Sequence, residues 1–158
     1  MASTPAHAAS ASIIALTAAQ ATPGETGYIA AALVAATILD LDHILYVLRD
    51  WRMYRREGFA GNLHHARSPF HEMPGLLLAG ILSTGLYFFD PTLAFIVLVA
   101  FTIHLLEDWF LGKSLPFTPL DDTLVRYFTL SQRQKVLIDI LILAVSGGAW
   151  ILYLSGAA

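Results

Sequence analysis

Residues 90–112 read DPTLAFIVLVAFTIHLLEDWFLG, and this stretch decides the class of the protein. Asp90 is a helix N-cap and Pro91 suits the first helical position. No charged residue follows until Glu107 and Asp108, and Gly112 ends the run. At 1.5 Å per residue the segment is about 30 Å long, the thickness of the hydrocarbon core of a bilayer. A membrane-spanning helix over 91–111 is predicted. The composition agrees: 56% of the 158 residues are hydrophobic and 13% are charged. Soluble domains carry about 25% charged residues. The mean hydropathy is +0.63.

Working outward, three more helices are expected, at about 27–48, 69–89 and 135–155. The predicted fold is all-α: a polytopic four-transmembrane-helix bundle, one membrane domain over 27–155. Ser68 and Pro69 would open the second helix with a bend at Pro74, or the helix starts at Pro74 and is short. Residues 1–26 are rich in Ala, Ser and Thr and read as a weakly ordered or interfacial leader. They hold no Lys or Arg, so a cleavable signal peptide is not expected. All nine Lys and Arg lie between residues 49 and 135, in two polar loops on one side of this topology. The positive-inside rule puts those loops in the cytoplasm of an inner-membrane protein and both termini outside. The absence of cysteine excludes disulfides and thiolate metal sites, and a net charge of −3 gives no reason to expect nucleic acid.

Several ionisable residues sit where a membrane protein should avoid them. ILDLDHILYVL (38–48) holds Asp40, Asp42 and His43 at the end of the first apolar run. His104 and Asp108 share one face of the third helix at i and i+4, with Glu107 beside them. These groups lie roughly 18–26 Å down their helices from the outer ends. His71 enters at a similar depth from the inner side. Each acid costs roughly 2.5–3.5 kcal/mol at a bilayer centre, less near the interface, and pairing or a bound cation must offset that. With His64 and His65, just before His71, five of the six histidines fall in these clusters. A divalent ion using imidazole and carboxylate donors together accounts for them, with zinc the default and manganese or iron also fitting. One or two ions are allowed. On a straight helix Asp40 and Asp42 point apart, so both face inward only if the helix loosens there.

Each group also has a plain reading. Asp40, Asp42 and His43 could be hydrated at a helix end, and His104 and Asp108 could be a buried hydrogen-bonded pair. His64, His65 and His71 could be surface residues of an arginine-rich loop. Glu72 and Glu107 are read first as solvated charges and second as general bases. Asp139 is expected to pair with Lys135. Arg67 and Lys113 could hold a phosphate, although basic residues are expected in inner loops anyway. Gly147 and Gly148 allow close helix approach, and self-association is left open.

The order of these motifs resembles the membrane-bound metal-dependent hydrolase family, YdjM-like and also described as LexA-binding inner-membrane-associated hydrolases. The family's Pro-Asp-x-Asp-His block is similar to Leu39–His43. Its His-Arg-x-x-Thr-His-Ser block is similar to His65–Glu72, and its His-x-x-x-Asp block to His104–Asp108, with Gly112 and Pro116 following. Leu39 stands where the family has proline, Ala66 where arginine is usual, and Phe70 and Glu72 flank His71 in place of threonine and serine. The resemblance implies a metal-dependent hydrolase; the depth of the cluster on the cytoplasmic side points to a lipid-linked phosphoester or ester as its substrate. Asp42, His43, His65, His71, His104 and Asp108 would serve as metal ligands. Asp40 or Glu72 would take a proton, and Arg67 would hold phosphate. Two other readings are weighed: an intramembrane proton or cation transporter, and a non-catalytic metal-stabilised scaffold. The outer halves of the expected helices carry almost no polar groups, which disfavours a conductor.

Overall fold

The computed structural model describes residues 3–57, 69–112, 114–118, 120–121 and 123–156, with every side chain in them except those of Asp42, His43, Tyr46, Tyr54 and Glu57. His64, His65, Arg67 and Lys113 therefore lie outside the described residues, as do the side chains of Asp42 and His43. The described residues are helical and contain no strand; one isolated bridge joins Ser114 to Val125. The elements are α1 (Thr4–Ala18), α2 (Thr26–Thr37), a 3₁₀ turn (Ile38–Asp40), α3 (Leu41–Arg49), α4 (Trp51–Glu57), a second 3₁₀ turn (Pro69–His71), α5 (Met73–Tyr87), α6 (Pro91–Leu111) and α7 (Gln132–Leu154).

Helix α6 has the bounds its sequence predicts. The Asp90 carboxylate accepts the Leu93 N–H at 2.9 Å, and Pro91 stands in the first turn. Helix α7 opens on a reciprocal capping box between Ser131 and Gln134. These two helices are long and apolar enough to cross a membrane. The other apolar helices, Thr26–Asp40 and Met73–Tyr87, fall short of the roughly 17–25 residues a span needs. Among the described residues two helices thus have the length and apolarity of a span, where four are expected from sequence.

The expected helix over 27–48 is divided. Thr37 turns its hydroxyl back to the Leu33 carbonyl, and the chain tightens into the Ile38–Asp40 turn before α3 begins. The polar run at 40–43 thus coincides with the loosening that its two aspartates require. The expected second helix also divides, into the Pro69–His71 turn and α5. Pro74 falls in the first turn of α5 and has no preceding turn to bend. Gly75 lets the Phe70 backbone cross directly over α5: a Cβ there would stand 1.7 Å from the Phe70 carbonyl oxygen.

The largest departure is at the N-terminus. The predicted leader is a 15-residue helix at the centre of the bundle, packed on α2, α6 and α7. Ala6, Ala11, Ala15 and Leu16 have no exposed surface. Small side chains bring the backbones together. Ser12 satisfies its hydroxyl on a carbonyl of its own helix. Gln20, in a left-handed conformation at φ 55°, reverses the chain into α2. Helices α1 and α7 run in the same direction, because Ser3 N–H donates to Asp139 Oδ1 (2.8 Å) and Trp150 Nε1–H donates to the Ala9 carbonyl (3.1 Å). Ser3 and Leu154 therefore lie at opposite ends of the bundle, which departs from the expectation that both termini share one side. With no Lys or Arg before residue 49, charge bias had nothing to act on in the first helix.

Candidate metal centre

Helix α6 supplies His104 and Asp108, one turn apart on the face it turns to the bundle. The first 3₁₀ turn brings Asp40 to within 3.6 Å of His104 Nε2, and the second brings His71 Nε2 to within 3.9 Å of the same Asp40 oxygen. Helix α1 adds His7. Its ring stacks on His104 with centroids 4.0 Å apart, and its Nε2 lies 3.3 Å from Asp108 Oδ1. The three histidines and Asp108 have no exposed surface, and Asp40 has 8%.

Neighbouring groups orient these ligands. His104 Nδ1 lies 2.6 Å from the Ala36 carbonyl oxygen. A carbonyl only accepts, so Nδ1 carries the proton and Nε2 presents its lone pair to the cluster. Among the described residues His104 Nε2 has no hydrogen-bond partner. The break after α2 makes this contact available, because the Ala36 carbonyl sits at the end of the helical ladder. His71 is held through its backbone, whose carbonyl accepts Trp109 Nε1–H at 3.0 Å.

Two donor triplets lie within 4.8 Å of one another internally: His7, Asp40 and His104, and His71, His104 and Asp108. Both use His104. One of its nitrogens is spent on Ala36 and the other has a single lone pair, so the triplets describe one centre. The donors fit a divalent ion. Zinc–nitrogen and zinc–oxygen bonds of about 2.0–2.2 Å place tetrahedral donors roughly 3.4 Å apart; His7–Asp108, His104–Asp40 and His71–Asp40 lie 3.3, 3.6 and 3.9 Å apart, and the donors of each triplet lie within 4.8 Å of one another. A buried imidazole nitrogen facing two carboxylates is costly without a cation or proton between them.

The family pattern for YdjM inner membrane protein matches residues 1–157. The chain belongs to this family. The YdjM match covers nearly the whole chain, including α1, whereas the motifs that carry the resemblance span residues 39–116. No curated protein and no solved structure matches the chain.

Of the site residues expected in this YdjM member, the structure brings together Asp40, His71, His104 and Asp108. Asp42 and His43 follow the 3₁₀ turn in sequence, but their side chains lie outside the described set, as do His65 and Arg67. Glu72 is buried, and both its oxygens are engaged. Oε2 accepts the Ser114 hydroxyl at 2.5 Å and Oε1 accepts the Leu115 N–H at 2.9 Å. It clamps the start of α5 to the loop after α6. Sequence reasoning missed His7, although one signal was present: it is the only titratable side chain before Glu25. Glu107, expected as a solvated charge, instead meets His7 and Ser10.

Proposed function

We propose that this protein is a membrane-embedded metal-dependent hydrolase acting at the cytoplasmic face on a lipid-linked phosphoester or ester. The observation that carries the reading is His104 Nε2, a buried lone pair held in place by Ala36 and facing Asp40. His7, His71, His104 and Asp108, with Asp40, would hold one divalent ion; zinc is the first choice, and manganese or iron would fit. A second ion would need Asp42, His43 or His65. Such an ion supplies the charge that acidifies a water molecule and polarises a phosphoryl or acyl oxygen.

The chain's own groups divide the remaining work. Among the described donors Asp40 alone has any exposed surface, 8%, so it is the group best placed to meet water and take a proton. The His104 ring is pinned through Ala36, and Trp109 holds the backbone that carries His71. Glu72, with both oxygens engaged, holds the His71 turn and is not the base. Arg67, two residues before the Pro69–His71 turn, would bind phosphate. The arginine-rich segments put this end of the bundle in the cytoplasm. A conductor is disfavoured because Leu16, Ala32, Ala36, Ile96 and Ala100 form a closed apolar core beside the site.

Metal analysis of the protein purified without chelator tests this reading. Wild type should hold one transition-metal ion per chain, and His104→Ala and Asp108→Ala should hold little. Loaded wild type should cleave a member of a panel of lipid phosphoesters and acyl esters, and Asp40→Asn should lose at least 100-fold in rate. A metal-free wild type would end the proposal. A loaded protein that cleaves no lipid in the panel would leave a metal-stabilised scaffold.

A further inference from the structure

Helix α6 turns three ionisable side chains toward α1, and only two belong to the donor triplets. The third, Glu107, lies three residues after His104 and so shares its face. Its Oε2 is 2.7 Å from His7 Nδ1, and its Oε1 accepts the Ser10 hydroxyl at 2.6 Å. Ser10 stands three residues after His7 on the same face of α1. It is buried, and its oxygen is also 2.7 Å from the Ala6 carbonyl. Both Glu107 oxygens are thus engaged on the side of His7 away from Asp108, and the Glu107 side chain retains 16% exposure.

We infer that Glu107, braced by Ser10, is the positioning residue that makes the N-terminal helix part of the metal centre. This rests on the metal-site reading above. A carboxylate accepts from His7 Nδ1–H and thereby fixes the tautomer that leaves Nε2 as the donor atom. His7 otherwise meets the face of His104 and, 3.3 Å from its Nε2, Asp108 Oδ1, and neither contact fixes which nitrogen carries the proton. The Glu107 bond fixes it. His104 has its own orienting acceptor in Ala36, so the two stacked rings are set by two separate groups, one from α6 and one from α2. Losing a carboxylate that orients a ligating histidine lowers metal affinity about 10–100-fold.

The test uses the full chain in detergent, titrated with Co²⁺ alone and then with Zn²⁺ in competition. Dissociation constants and the visible cobalt spectrum are read together. Glu107→Leu should weaken binding 10–100-fold and change the intensity of the cobalt bands, because one nitrogen donor is lost or misplaced. Glu107→Gln should stay within a few-fold of wild type with an unchanged spectrum. Its amide oxygen can still accept from His7 while its amide nitrogen donates to Ser10, which frees the Ser10 proton for Ala6. A merely structural contact would predict neither the altered spectrum nor the rescue. Wild-type affinity and spectrum in Glu107→Leu would overturn the inference while leaving the metal site standing. No binding by wild type would overturn both. If Glu107→Leu does not fold, Ser10→Ala takes its place: it should weaken binding several-fold, and unchanged binding counts against the inference.

Discussion

Gly75 shows how one missing carbon positions a ligand. The Phe70 carbonyl rests where a side chain would start, and the next residue along that turn is His71. Gly75→Ala forces the Pro69–His71 turn off α5. The expected cost is about 1–3 kcal/mol, as for other overpacked sites, with metal content reduced in the same variant. Gly80, on the same helix, has open space where a methyl group would stand, with nothing within 4 Å. Gly80→Ala should therefore be neutral or raise stability by about 0.5–1 kcal/mol. Thermal unfolding of the two variants side by side checks this, and equal melting points would contradict the close approach at Phe70.

At the scale of elements, the junction between α5 and α6 carries a pH dependence. The Leu93 N–H, and after it the Tyr28 hydroxyl, holds the Asp90 carboxyl below the usual carboxylate range. A depressed folded-state pKa contributes stability that is present above the unfolded value, near 3.9, and is lost as pH falls through the folded one. Wild type should therefore lose stability on acidification below about pH 4. Asp90→Asn keeps a good cap without the titrating group, so its stability should change less over that interval. Unfolding midpoints measured from pH 5 to 2.5 decide it, and parallel curves would remove Asp90 from the account. The same scale explains why the helix after Thr26 had to break. A continuous helix would have satisfied Ala36 within its own ladder and turned Asp40 and Asp42 to opposite sides. The 3₁₀ turn gives Ala36 to His104 and Asp40 to the cluster.

For the whole molecule, the parallel course of α1 and α7 sets the topology. Ser3 sits at the end that carries Asp40, Asp108 and Asp139, and Leu154 sits at the other. Reporters fused at the two chain ends should therefore mark opposite compartments, with the N-terminal one cytoplasmic by the charge of the arginine-rich segments. Two reporters in the same compartment would refute this arrangement. Helix α7 packs mainly on α1 and exposes Leu137, Ile140, Leu141, Val145 and Ile151, a surface suited to lipid.

Features that depend on neighbours along the chain are legible in the sequence. Asp90, Pro91 and Gly112 bound α6; the i, i+4 spacing sets His104 and Asp108 on one face; and the apolar composition points to a membrane, in line with the family's description as an inner membrane protein. Those signals are local, carried by backbone capping, helical period and hydropathy. Only the tertiary structure decided that an Ala-rich leader is the central helix, because small residues carry no strong hydropathy and their value lies in how closely other backbones approach. It also decided that His7 joins the centre and that Glu72 is a clamp. Those roles are set by groups up to 100 residues away, and no spacing in the sequence encodes the meeting.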